Sequence, residues 1–186
     1  MKAPHRIPLY LLAVAALSLS PAPLSADGTG VIERRMLSWS DFVGTQDAAS
    51  PYDAYTWWTV HYDYTWTAGP AGSADVTVTV SNRLSEESWV RRPLPPNQVS
   101  LLRHEQGHYD FSVLVALDFR RAVAVTRFTA ALVDQTLADL FGAALERYKA
   151  LELRYDEETA HGADPEAQAR WNAWFESEIR RLWEWR

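Results

Sequence analysis

The chain has 186 residues, the length of a single domain with a sizeable hydrophobic core. Its net charge of −6 argues against nucleic-acid binding, which depends on a positively charged surface. Because the chain contains no cysteine, disulfide bonds, thiolate metal ligands and a thiol nucleophile are excluded.

The N-terminus has the pattern of a secretory signal peptide. Two basic residues precede an apolar run, residues 9–19, that is too short to cross a bilayer. The small residues that follow predict cleavage after Ala26, which removes residues 1–26 and leaves no stable membrane insertion. Residues 27–186 are then expected to form one domain in the periplasm or outside the cell. An uncleaved membrane anchor is the alternative, which the shortness of the run disfavours.

The first half of the predicted mature chain has the pattern of antiparallel strands. Residues 56–66 alternate between two faces, one aromatic and one more polar, as a half-buried strand does. Residues 75–81 alternate in the same way, and the glycines and proline of residues 68–73 predict a turn between the two strands. The two strands are expected to pair as a hairpin, and residues 31–36 are predicted to add a further strand.

The second half is predicted to consist of helices. Asn97 is the expected N-cap of a first helix over residues 99–126, and an apolar stripe predicts a second helix over residues 130–154. The polar residues 155–162 are expected to interrupt the helical pattern, before Asp164 and the proline after it begin a third helix. The nine tryptophans are expected mainly to fill the core. The expected fold class is α+β, with a small antiparallel sheet in the N-terminal half packed on a helical C-terminal half.

A metal-binding pattern, His-Glu-x-x-His, occupies residues 104–108 in the first predicted helix. Residues four apart lie on one face of a helix, so His104 and His108 can bind the same metal ion. Glu105 lies about 100° round the helix, where its carboxylate can reach a water molecule on the metal. Zinc is the metal that this pattern typically binds, and a sheet in front of such a helix is the architecture of zincin-like peptidases.

A catalytic zinc takes three protein ligands, so the sequence has to supply a third. His161 is the preferred candidate because it lies in a polar loop between two helices that can fold back on the first. Glu146 and Glu152 on the second predicted helix are the alternatives, in a thermolysin-like arrangement. Asp110 points away from the metal and is expected to stabilise helix packing through a hydrogen bond or salt bridge. Asp156 is expected either to orient a ligand histidine or to cap the following turn.

An ordered set of motifs extends over most of the predicted mature chain. It comprises residues 37–44 (LSWSDFVG), Ser88 and Trp89, residues 104–110 (HEQGHYD), Tyr155 and Asp156, Thr159, His161 and Gly162, Gln168 and Trp171. With this set the chain resembles a bacterial family, domain-of-unknown-function family 922, whose members are considered to be secreted zinc-dependent proteases. Tyr109 departs mildly from the family pattern, which more often has phenylalanine there. The resemblance implies metal-dependent proteolysis and gives added weight to residues 155–162.

The expected function is hydrolysis of peptide bonds with one zinc ion per chain. His104, His108 and His161 are expected to hold the zinc, and Glu105 is expected to act as the general base toward the attacking water. Tyr155 is a candidate hydrogen-bond donor to the oxyanion, or alternatively an ordinary interfacial tyrosine.

Two other functions fit the same sequence. One is a non-catalytic envelope protein that holds a structural metal and binds peptidoglycan or a partner through its aromatic residues. Glu105 argues against that function, since a structural metal site needs no general base. The other is an amidase that acts on cell-wall peptides. The expected partner is therefore a peptide or protein substrate, with cell-wall peptides among the candidates, and the sequence leaves the oligomeric state open.

Overall fold

The computed structural model describes residues 31–184, so the predicted signal peptide, residues 1–26, lies outside the described residues. Within that range, no helix combines the length and apolarity needed to cross a membrane. The described elements are, in chain order, β1 (Ala54–Tyr55), β2 (Trp58–Ala68), β3 (Ser73–Leu84), β4 (Trp89–Val90), α1 (Gln98–Val125), β5 (Phe128–Thr129), α2 (Val133–Thr159) and α3 (Pro165–Trp183). The strands precede the helices except for β5, which confirms the expected α+β class.

The predicted hairpin is confirmed. Strands β2 and β3 pair antiparallel along their whole length, with Tyr62 opposite Val80, and the turn between them includes Gly72 with a positive φ of 79°. Glycine adopts such a φ readily because it has no Cβ, so Gly72 suits the turn that this pairing requires. Strand β5 extends the sheet at the far side of β3, where Phe128 pairs with Ala74. A separate two-stranded sheet forms where Ala54 of β1 pairs with Val90 of β4.

Helix α1 is the centre of the molecule. Residues 109–119 are all buried, and both sheet strands and the two other helices pack against this helix. Most of these residues are apolar, and a largely apolar helix is more stable when other elements cover it on every side. The His-Glu-x-x-His segment lies just before this buried stretch, in the N-terminal half of the helix.

Helix α2 continues further than the sequence predicts. It ends at Thr159 rather than near residue 154, so the expected interruption over residues 155–162 begins five residues too early. Tyr148, Tyr155 and Thr159 are all buried, at spacings of seven and four residues that keep them on one helix face. This stripe makes the polar residues between them compatible with a helix.

Helix α3 begins as predicted. The Asp164 side chain accepts hydrogen bonds from the backbone N–H groups of Glu166 and Ala167, and Pro165 occupies the first turn. Its buried residues include Trp171, Phe175 and Leu182, which dock the helix on α1 as expected. Asn97 precedes α1 at the N-cap position, but its side chain makes no capping hydrogen bond.

The prediction of a strand at residues 31–36 is wrong. Residues 31–37 form a segment without regular secondary structure, called the strap below, whose backbone is bound by side-chain amides rather than by a neighbouring strand. Asn82 Oδ1 accepts from the Glu33 N–H at 2.8 Å, and Asn82 Nδ2 donates to the Glu33 carbonyl at 3.0 Å. Gln106 accepts from the Leu37 N–H at 2.7 Å and donates to the Arg35 carbonyl at 3.1 Å. The strap is therefore fixed to β3 and to the His-Glu-x-x-His segment of α1.

Replacing Asn82 with alanine is expected to lower the free energy of unfolding by about 1–3 kcal/mol, because it leaves buried polar partners without their hydrogen bonds. Asn82 is 3% exposed and also donates to the Ser112 hydroxyl at 2.9 Å. The neighbouring exposed residue Arg83 offers a control, and Arg83→Ala is expected to change stability by less than about 0.5 kcal/mol. Urea unfolding of both variants measures this, and equal stabilities would contradict the assigned role of Asn82.

Candidate metal centre

Helix α1 brings the two histidines of the motif together. His104 and His108 are one helical turn apart on the same face, and their Nε2 atoms lie 3.2 Å from each other. Their side chains are 3% and 13% exposed, respectively. Two imidazole nitrogens thus converge on one point at the edge of the buried part of α1.

Asp156 on α2 completes the group. Its Oδ1 atom lies 3.1 Å from Nε2 of His104 and 3.1 Å from Nε2 of His108. The three ligand atoms lie within 4.8 Å of one another, so His104, His108 and Asp156 can hold a metal ion. These three residues are called the candidate metal centre below.

The spacing within the candidate metal centre fits a small divalent ion. Ligand atoms that bind zinc tetrahedrally at about 2.0–2.1 Å are separated from one another by about 3.3–3.4 Å. The three observed separations, 3.1, 3.1 and 3.2 Å, are close to that value. Asp156 Oδ1 is buried and has no hydrogen-bond partner of suitable geometry, which is unfavourable for a carboxylate unless a cation lies against it.

Contacts on the far side of the His104 ring determine which of its nitrogens faces His108 and Asp156. Its Nδ1 atom lies 3.3 Å from Gln168 Oε1 and 3.4 Å from the Thr159 hydroxyl. Gln168 Nε2 donates to Tyr155 and to Asn172, so the amide oxygen of Gln168 is the atom that accepts from His104. The proton of His104 therefore lies on Nδ1, and the Nε2 lone pair points toward the other two ligand atoms.

His108 is oriented by a carboxylate. Its Nδ1 atom lies 2.9 Å from Glu152 Oε1, and the same oxygen accepts from the Trp58 indole N–H at 3.1 Å. A carboxylate behind a histidine ligand fixes the ring and makes its other nitrogen a better donor to a metal. Glu152, which the sequence offers as a possible ligand, thus contacts a candidate ligand, His108, instead.

The electrostatics of the candidate metal centre favour a positive charge between its members. Burial opposes ionisation of both His108 and Asp156, but the two groups offset that effect for each other. The carboxylate of Asp156, assisted by Glu152, raises the pKa of His108 well above its usual value. The histidines in turn lower the pKa of Asp156 far below its usual range. A bound cation satisfies the same carboxylate.

Glu105 is held beside the candidate metal centre but is not part of it. Its side chain is 4% exposed, and its Oε2 atom accepts a hydrogen bond of 2.6 Å from the Thr56 hydroxyl. Thr56 directly follows β1, so the small sheet determines the orientation of this carboxylate. Its predicted role as general base stays a prediction.

Tyr155 supports the histidines from behind. It is completely buried, and its hydroxyl donates to the His104 carbonyl at 2.9 Å while it accepts from Gln168 at 2.8 Å. Gly107 allows this approach, because a Cβ at that position would collide with the Tyr155 hydroxyl. Burial raises the pKa of Tyr155 far above its usual value. Of the two predicted roles, the interfacial one fits this geometry better than donation to an oxyanion.

His161 lies next to the candidate metal centre without belonging to its compact set of ligand atoms. Its Nδ1 atom is 3.6 Å from Asp156 Oδ1, and its side chain is 49% exposed. Within the described residues, Asp156 therefore holds the place that the sequence analysis gives to His161, whose ligand role stays a prediction.

Glu146 is exposed on α2. Asp110 pairs with Arg34 at 3.3 Å and accepts from Gln106, in the packing role expected of it.

Sequence reasoning named Glu152 and Asp156 but not the places that they take, since it offered Glu152 as an alternative ligand and Asp156 as a residue that orients a ligand histidine or caps the following turn. Glu152 and Asp156 are four residues apart, the same spacing as the two histidines, and this was the available signal for a second ligand-bearing helix face. Recognising it required α2 to continue past residue 154. Gln168 belongs to the motifs behind the family resemblance, but its contact with His104 depends on how α3 packs.

A family model described as bacterial protein of unknown function (DUF922) matches residues 32–162. The matched range begins in the strap and includes α1, Asp156 and the turn that contains His161. No curated protein and no solved structure matches the chain.

Replacing Glu152 with glutamine is expected to weaken zinc binding by about 10–100-fold, because the ligand His108 loses its charged partner. The matched control is Glu146→Gln, an exposed position on the same helix, which is expected to leave zinc affinity unchanged. Competition with a chromophoric chelator measures both dissociation constants. Equal affinities for the two variants would show that Glu152 does not act through His108.

Proposed function

The chain belongs to the DUF922 family of bacterial proteins, and we propose that it is an exported zinc-dependent peptidase. The observation that carries this proposal is the candidate metal centre, in which two imidazoles and one carboxylate converge on one point. Glu105, the acid of the same motif, lies one residue from a ligand histidine. Three protein ligands with a fourth side left for water are typical of catalytic zinc rather than structural zinc.

The donor set supports zinc in particular. Two neutral imidazole nitrogens with one carboxylate oxygen form the same combination as the His₂Glu set of thermolysin, with Asp156 in place of the glutamate. Zinc bound there would supply Lewis-acid chemistry, which activates water and polarises a carbonyl group. His104 and His108 would contribute their Nε2 atoms, since hydrogen bonds occupy Nδ1 on both rings.

Glu105 is the residue that we assign to proton transfer. Thr56 binds its Oε2 atom, which leaves Oε1 as the oxygen that takes up the proton of the attacking water. The same carboxyl group would then deliver that proton to the leaving amine, so the residue returns to its starting state. Its near-complete burial keeps bulk water away from the transferred proton.

Zinc content and peptidase activity, measured on the same preparations, test this function. Purified protein is expected to contain about one zinc ion per chain and to cleave casein, and chelation is expected to abolish cleavage until zinc is restored. Glu105→Gln is expected to retain zinc and to lose activity by about 10²–10⁴-fold, whereas Asp156→Ala is expected to lose the zinc. Glu157→Gln, at an exposed position beside Asp156, is the control and is expected to behave as the wild type.

The results separate the competing functions. Wild-type activity in Glu105→Gln would show that the assigned mechanism is wrong. Zinc binding without hydrolysis of either casein or cell-wall fragments would favour a structural metal in a non-catalytic envelope protein. Hydrolysis of purified cell-wall fragments but not of casein would favour the amidase.

A further inference from the structure

The turn between α2 and α3 has an unusual backbone. Ala160, His161 and Gly162 have consecutive positive φ angles of 47°, 53° and 80°. A residue with a Cβ adopts this conformation rarely, so two of the three positions are unfavourable in isolation. The turn is over-determined by its surroundings, because the His161 N–H donates to the Asp156 carbonyl at 3.0 Å and the Gly162 N–H donates to the Thr159 hydroxyl at 3.3 Å.

The turn is pressed directly against the candidate metal centre. A Cβ on Gly162 would lie 2.8 Å from the Cβ of His104, so no larger residue fits there without movement. This contact fixes the position of the preceding residue, His161, relative to the candidate metal centre. Strained backbone that is held in place beside a reactive centre commonly serves to aim a side chain.

His161 occupies the solvent side of the centre. Its side chain is 49% exposed, against 28% for Asp156 and 3% for His104. Its ring lies 6.4 Å from that of His104, and its nitrogens are not in the set of ligand atoms within 4.8 Å of one another. A fourth protein ligand would also close the site, whereas a catalytic zinc keeps one position free. The imidazole therefore stands where a substrate would approach.

The ring of Tyr52 packs against the ring of His161. The two rings lie 5.0 Å apart at an angle of 48°, and Tyr52 is 41% exposed. The loop that carries Tyr52 is fixed by the forked side chain of Arg91. That side chain donates to the Tyr52 carbonyl at 2.8 Å and to the Asp53 carboxylate at 2.7 Å.

From these contacts we infer that His161 is a substrate-side catalytic residue, which donates an imidazole N–H to the substrate carbonyl oxygen as negative charge develops on it. Tyr52 is the positioning residue that holds the imidazole in that place. This inference rests on the proposed peptidase function and gives His161 the oxyanion role that the sequence suggested for Tyr155, whose buried hydroxyl donates to the His104 carbonyl. The donor forms no covalent bond and returns unchanged after each turnover.

Zinc affinity, steady-state kinetics and the affinity of a phosphonamidate peptide, measured on His161→Ala, test the assignment. The tetrahedral anion of this probe resembles the oxyanion, so its binding reports on the donor without turnover. His161→Ala is expected to bind zinc as the wild type does, to lower kcat by about 10²–10³-fold with little change in KM, and to bind the probe correspondingly less tightly. His161→Asn keeps an N–H donor and tolerates positive φ, so it is expected to recover part of the activity. His61→Ala, an exposed histidine on β2, is the control.

Tyr52 separates positioning from direct chemistry. Tyr52→Phe retains the ring and is expected to keep the wild-type kcat, whereas Tyr52→Ala is expected to lower kcat by about 10-fold because the imidazole loses its support. A loss of kcat in Tyr52→Phe would overturn the positioning role and assign the effect to the hydroxyl.

Three outcomes would overturn the assignment of His161. Zinc affinity reduced by about 10-fold or more in His161→Ala would make the residue a metal ligand. If the wild type hydrolyses peptides and His161→Ala has the same kcat, His161 takes no part in catalysis and the proposed function remains intact. Absence of hydrolysis by the zinc-loaded wild type would overturn the proposed function and this assignment together.

Discussion

The buried carboxylate oxygen of Asp156, in contact with two imidazole nitrogens, is the interaction on which the rest of the site depends. Both separations are 3.1 Å, and the oxygen has no hydrogen bond of suitable geometry. Three atoms with lone pairs do not pack together in a protein interior unless a proton or a metal ion lies among them. The arrangement of the neighbouring helices therefore makes sense as the support of a cation site.

All three helices contribute to that support. Helix α1 provides both histidines, and α2 provides Asp156 together with Glu152 behind His108. Helix α3 provides Gln168, whose amide fixes His104 and also binds Tyr155. Each imidazole is thus held through its Nδ1 atom by a residue on another helix. The candidate ligands are thus already oriented, which would reduce the ordering needed to bind a metal ion.

The sequence predicted the parts of this structure that depend on local periodicity. The four-residue spacing of the histidines placed them on one helix face, and strict alternation identified the hairpin. Periodicity could not reveal that Asp156 joins the two histidines, because the polar run around it resembles a loop until its tyrosine and threonine are seen to be buried. It also mistook the strap for a strand, since Asn82 and Gln106 satisfy its backbone through side chains. The sequence predicted His161 as a ligand, and the structure places its ring beside the candidate metal centre, where the turn that carries it packs against His104.

The most direct test of the central claim is a crystal structure of the zinc-loaded protein, with anomalous diffraction data collected at the zinc absorption edge. A single strong anomalous peak is expected among His104 Nε2, His108 Nε2 and Asp156 Oδ1, at about 2.0–2.2 Å from each of them. His161 is expected to remain outside that first set of bonds. A peak bound by His161 in place of Asp156, or zinc found only elsewhere on the protein, would contradict the account.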